Sequence, residues 1–151
     1  MQLIVHAGMH KTGTSAVQRA FAGHKAGDVA YIPWKYPNHS ELVALLFLDP
    51  EALPGFHLFR KRQIDADTLL EMRQTHLARI RQFLRQPENR DRKIILSAEN
   101  ISRPDFAVVR RNLHDFFSPL CPDIRVIAYA RPPVSFLHSA FQEKLKWGNL
   151  K

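Results

Sequence analysis

The sequence predicts an α/β domain with three layers: a mainly parallel sheet flanked by helices. Three observations carry this. Four short apolar runs are each closed by turn or loop residues. Segments of helical period separate those runs, and such alternation favours parallel strands joined by right-handed crossovers. The 151 residues, 45% apolar and 24% charged, are of the size and composition of one globular domain, so residues 1–151 are read as a single unit.

Taken in order, Gln2 to His6 is the first apolar run and a buried-strand pattern. A glycine-containing turn follows, then a helical stretch from about Thr14 to His24, with Ala16, Val17, Ala20 and Phe21 at helical spacing. Val29 to Ile32 is a second strand, stopped by Pro33, and Pro33 to Asn38 reads as a loop. Ser40 to Leu48 predicts a short helix. Pro50 to Gln63 reads as irregular, with a turn signal at Pro54-Gly55. A long helix is predicted from about Ala66 to Gln86, striped by Leu69, Leu70, Leu77, Ile80 and Leu84. Thr68 and Glu71 have capping-box spacing, which would set its start further in. Lys93 to Ala98 is a third strand. Ser102, with Pro104 two residues on, predicts a capped helix start running to about Phe117. Ile124 to Ala130 is a fourth strand, and Pro132-Pro133 open a last helix reaching roughly Trp147.

Charge and composition narrow the function classes. Lys plus Arg total 22 against 14 for Asp plus Glu, a net +8, which favours anionic partners such as nucleotides, phosphate or sulfate esters, acidic polysaccharides and nucleic acid without choosing among them. The charge is spread over helices without a poly-basic tail, the pattern of a solvated face. No nucleic-acid partner is expected. No apolar run has the length of a membrane span, and the first residues lack the pattern of a secretory signal. The one cysteine, Cys121, forms no intrachain disulfide and no cysteine zinc cluster. A cytoplasmic location is the simplest expectation.

In a parallel sheet of this kind ligands bind beyond the carboxyl ends of the strands, which would gather the loops after His6, Leu96 and Tyr129. The first loop reads Gly8-Met9-His10-Lys11-Thr12-Gly13-Thr14-Ser15. Its glycines let the backbone turn and approach a ligand, and the free N–H groups at a helix start attract anions. Lys11 adds a cation, and Thr12, Thr14 and Ser15 add hydroxyls. This is the chemistry of a phosphate- or sulfate-binding loop. It is not a Walker A motif, because Lys11 precedes Gly13 instead of following it.

Lys11-Thr12-Gly13-Thr14-Ser15 resembles the 5′-phosphosulfate loop of sulfotransferases that use 3′-phosphoadenosine 5′-phosphosulfate (PAPS). Arg131, with Ser139 eight residues later, resembles the pair with which that family grips the 3′-phosphate. The Arg131-Pro132-Pro133 start departs modestly from the Arg-Asn-Pro or Arg-Asp-Pro found in many members. Glu99, in Ser97-Ala98-Glu99-Asn100, matches the place where several carbohydrate- and protein-modifying members carry the base that deprotonates the acceptor hydroxyl.

The resemblance implies a P-loop-type fold, PAPS as co-substrate and adenosine 3′,5′-bisphosphate as product. It implies catalytic roles for Lys11 and Glu99, nucleotide binding by Lys11, Thr12, Gly13, Thr14, Ser15, Arg131 and Ser139, and no metal. The acceptor would be a hydroxyl compound, with a lean toward carbohydrate. Glu99 has a second reading as an ion-pair partner of Lys11 or an arginine. His10 and His39 are expected to contact substrate, with capping of the short helix as the equal alternative for His39. His6 reads as a satisfied core histidine.

The matching stretches span the chain, but Pro33 to Gln86 carries little of the family pattern. A familiar sulfotransferase domain continues past the Arg–Ser helix. The sequence is therefore expected to be either the N-terminal part of such a domain or a reduced form, cut after the fourth strand and its helix. An exposed apolar patch is expected where later elements would dock, and with it self-association. Two other classes stay open. One is a P-loop NTP-dependent kinase or NTPase, opposed by the displaced Lys11 and the lack of a strand-terminal Asp. The other is a non-catalytic anion-binding module derived from a sulfotransferase.

Overall fold

The computed structural model describes residues 1–8 and 12–146. Strand β1 (Gln2–His6) leads into helix α1 (Thr14–Phe21). A two-residue β2 (Lys25–Ala26) and β3 (Val29–Tyr31) form a hairpin, followed by α2 (Ser40–Phe47), the five-residue α3 (His57–Lys61) and α4 (Ala66–Leu84). Then come β4 (Lys93–Ser97), α5 (Ala107–Phe117), β5 (Asp123–Ile127) and α6 (Pro133–Lys146).

The sheet order is β2-β3-β4-β1-β5. The β2–β3 hairpin is antiparallel, while β3–β4, β4–β1 and β1–β5 pair in parallel. The expected α/β class and mainly parallel sheet are therefore present, with one unforeseen strand. β2 has no apolar signal, since Lys25 and Ala26 are both exposed. Its turn depends on Gly27, whose φ of 57° lies in the left-handed region that glycine tolerates.

Register explains the two faces of the sheet. Leu3 pairs with Ile94 and Val5 with Leu96 on one face, while Ile4 pairs with Ile95 and His6 with Ser97 on the other. The first face joins the main core with α2, α4 and α5. The second ends in two polar side chains at the carboxyl edge.

Helix α2 is buried along its whole length, apolar except for Ser40 and Glu41 at its start. It packs against both α4 and α5. A helix so enclosed must have its last carbonyls satisfied by protein, because water does not reach them. Arg73 of α4 donates from Nε to the Leu45 carbonyl at 2.8 Å and from its terminal nitrogen to that of Leu48, and Asn112 of α5 donates to Phe47 at 2.9 Å. At the other end, the buried Glu41 carboxylate accepts both guanidinium nitrogens of Arg62 (2.9 and 3.0 Å) and lies 3.0 Å from Lys35 Nζ.

Several boundaries differ from the sequence reading. The long helix is capped by Asp65, whose Oδ1 accepts from the Thr68 N–H at 2.8 Å, so the Thr68–Glu71 spacing does not set its start. Ser102 is not an N-cap: its hydroxyl donates back to the Glu99 carbonyl, and α5 begins at Ala107 after two short 3₁₀ turns. The segment read as irregular holds α3 and the 3₁₀ turn Pro50–Ala52.

The expected exposed apolar surface is present. Val126, Ile127 and Tyr129, in β5 and just after it, stand open, as do Val134, Leu137, Phe141 and Leu145 along one face of α6. No residue of α6 is buried. None of the described helices is long and apolar enough to cross a membrane.

Candidate functional site at the carboxyl ends of β1, β4 and β5

The parallel pairing of β4, β1 and β5 brings the segments after Ser97, His6 and Ile127 to one edge of the sheet. At that edge β1 passes into α1 through two glycine-dependent features. A Cβ on Gly8 would lie 2.1 Å from Thr14 Cγ2 and 3.4 Å from His6 Nε2, so only glycine lets the loop lie this close to the strand end. Gly13, at φ 81°, is the left-handed residue that opens α1. The helix start therefore faces back over β1, presenting N–H groups that have no partner within the helix.

Thr14 is 2% exposed, and its hydroxyl donates to Glu99 Oε1. This contact joins the loop after β1 to the 3₁₀ turn after β4, across 85 residues of sequence. Glu99 is half-buried. Beneath it, His6 Nδ1 lies 2.7 Å from Ser97 Oγ, and Tyr129 packs edge-on to the His6 ring at 5.5 Å. Burial pushes the His6 imidazole below its ordinary pKa, and the Glu99 charge opposes that shift.

His6 is not the satisfied core histidine the sequence suggested. Among the described residues its Nε2 is buried without a partner, as is Gln18 Nε2 one turn beyond Thr14. Two buried polar atoms lacking partners beside a strand-to-helix loop mark a place where a ligand or water would be bonded. The signal available in sequence was a pair of polar residues, His6 and Ser97, ending otherwise apolar strands.

The remaining site residues are distributed as follows. Thr12 is half-buried, while Gly13 and Ser15 are exposed at the start of α1. Lys11 and His10 lie outside the described residues. Arg131 stands four residues past the end of β5, because the strand stops at Ile127 and not at Ala130. Its Nε donates to Ser135 Oγ at 2.8 Å. Ser135 and Ser139, the latter expected beside Arg131 at the 3′-phosphate, both lie on α6, one turn apart.

His39 is not a pocket-lining residue: it is 0% exposed and both ring nitrogens are engaged. Nδ1 accepts the Ser97 N–H at 3.0 Å, which puts the proton on Nε2, and Nε2 donates to the Ile32 carbonyl at 3.0 Å. Nor does its side chain cap α2. It ties the end of β3 to β4, directly behind Ser97. Burial takes its pKa from 6.5 down to about 4. Above pH 6.5 both folded and unfolded chains hold it neutral. Between about 6.5 and 4 the unfolded chain takes up a proton that the folded chain refuses, so stability falls with acidification. The loss attributable to His39 should approach about 3 kcal/mol by pH 4. Thermal melts between pH 7 and 4.5 should show a falling midpoint, with a shallower slope in His39→Gln.

Comparison with models of known families, with curated proteins and with solved structures finds no match to this chain. The site is thus defined by its geometry: a tight strand-to-helix loop, a carboxylate bonded to that loop from the neighbouring strand, and an arginine beyond the next strand. Among the described residues, no group of three or more His, Cys, Asp or Glu side chains could hold a metal ion.

Proposed function

We propose that this chain is a PAPS-dependent sulfotransferase domain acting on an acceptor hydroxyl. The observation that carries the reading is the bond between Thr14 and Glu99. It puts the carboxylate suited to deprotonate an alcohol against the loop suited to hold a phosphosulfate. The close packing at Gly8 and the unpartnered His6 Nε2 fit a site that takes a polar ligand.

Bound PAPS supplies an activated sulfuryl group, whose S–O bond to the 5′-phosphate breaks as the acceptor oxygen bonds to sulfur. In this reading Glu99 takes the acceptor proton, and Thr14 orients the carboxylate. The N–H groups from Gly13 to Ser15 hold the 5′-phosphate, and Lys11 offsets charge on the leaving oxygen. Arg131 forks onto the 3′-phosphate, with Ser135 already fixing its guanidinium and Ser139 one turn further along α6. A carbohydrate acceptor and a cytoplasmic setting belong to the same proposal.

Arg131→Ala tests the nucleotide half of this assignment. A charge-assisted bond to phosphate is worth about 1.5–3 kcal/mol, so affinity for adenosine 3′,5′-bisphosphate should fall roughly 10- to 100-fold. Affinity for adenosine 5′-phosphate, which lacks the 3′ group, should change little. Equal losses for both nucleotides would remove Arg131 from the 3′-phosphate site.

A further inference from the structure

A second pocket, of about 450 Å³, opens beside the end of β3, where the chain leaves the sheet at Pro33 and crosses α4. Among the described residues, none of the loop after β1 lines it. We propose that it binds a small organic anion with a flat apolar body, an aryl carboxylate being the simplest form.

The floor is apolar. Ile80 and Phe83 of α4 and Leu42 of α2 line it and are each under 10% exposed. One wall is Trp34, which meets the His76 ring edge-on at 4.9 Å. Flat aromatic walls over an apolar floor suit a planar hydrophobic ligand of this volume.

The rim is cationic. Lys35, His76 and Arg79 line the pocket, and no acidic residue does. Lys35 is shared, with its Nζ 3.0 Å from Glu41 and about 5 Å from the Trp34 and Tyr36 rings. Arg79 makes no hydrogen bond or ion pair among the described residues, so its fork is available to a carboxylate. The positive potential reaches His76, whose pKa is held below its ordinary value by burial first and then by Arg79 and Lys35.

This pocket is tested without nucleotide, so its outcome is independent of the sulfotransferase reading. Calorimetry would compare 2-naphthoate with the neutral 2-naphthalenemethanol on the wild-type chain, Arg79→Gln and Phe141→Glu. Arg79 is exposed, so its replacement should leave the fold intact. The expected result is naphthoate binding at about millimolar Kd or tighter, weakened roughly ten-fold or more both by neutralising the probe and by Arg79→Gln. Phe141→Glu, on the open face of α6, should leave it unchanged. Absence of binding, equal binding of the two probes, an unaltered Arg79→Gln variant or loss in Phe141→Glu would each overturn the assignment.

Discussion

Glu99→Gln should lower sulfuryl-transfer turnover by about 10²- to 10⁴-fold while leaving affinity for adenosine 3′,5′-bisphosphate nearly unchanged. The size is that of a positioned general base. The selectivity follows from the geometry. Thr14 donates to Glu99 Oε1, and a glutamine carbonyl accepts the same bond, so the loop after β1 keeps its tie to β4. What glutamine loses is the ability to take a proton. A drop in nucleotide affinity comparable to the drop in turnover would make Glu99 a strut of the loop. Full turnover would remove it from the chemistry.

Phe117→Ala should have the largest effect on stability, about 3–5 kcal/mol. Phe117 is 0% exposed, and its ring packs 4.9 Å from Phe116 and 6.1 Å from Phe47 at the end of the enclosed α2. Alanine there leaves a void that α2 cannot fill, because Arg73 and Asn112 pin its last carbonyls. For a chain of this length the melting midpoint should fall by roughly 6–20 °C. Phe116→Ala, at a half-buried position, should cost clearly less in the same denaturant titration. Equal losses would mean that the α2–α5 contact is not the stability centre described here.

The strands of the parallel sheet were legible because each interior strand is a short apolar run whose side chains must be hidden on both faces. Ile94-Ile95-Leu96 permits little else. β2 was not legible, since two exposed residues carry no hydrophobic period and pair only because Gly27 turns the chain. α3 was hidden by the Pro54-Gly55 turn just ahead of it. In the site, glycine and hydroxyl chemistry exposed the loop directly, while the tie from Thr14 to Glu99 exists only through strand register.

His39 shows the limit most clearly. Beside Asn38 and Ser40 it reads as a loop histidine, yet its partner is an N–H 58 residues away. Arg131 shows a smaller one: the strand ends at Ile127, three residues before the expected end, so Arg131 stands beyond the sheet with its Nε on Ser135 Oγ. Local pattern gives the residue types a site needs, and tertiary register decides which of them meet.

The measurement that bears most directly on the central proposal is calorimetric titration of the wild-type chain with adenosine 3′,5′-bisphosphate in the absence of metal, beside ATP with and without magnesium. A PAPS-type site predicts saturable, metal-independent binding of the bisphosphate in preference to ATP. Binding of magnesium-ATP alone would contradict it and assign the loop to NTP chemistry.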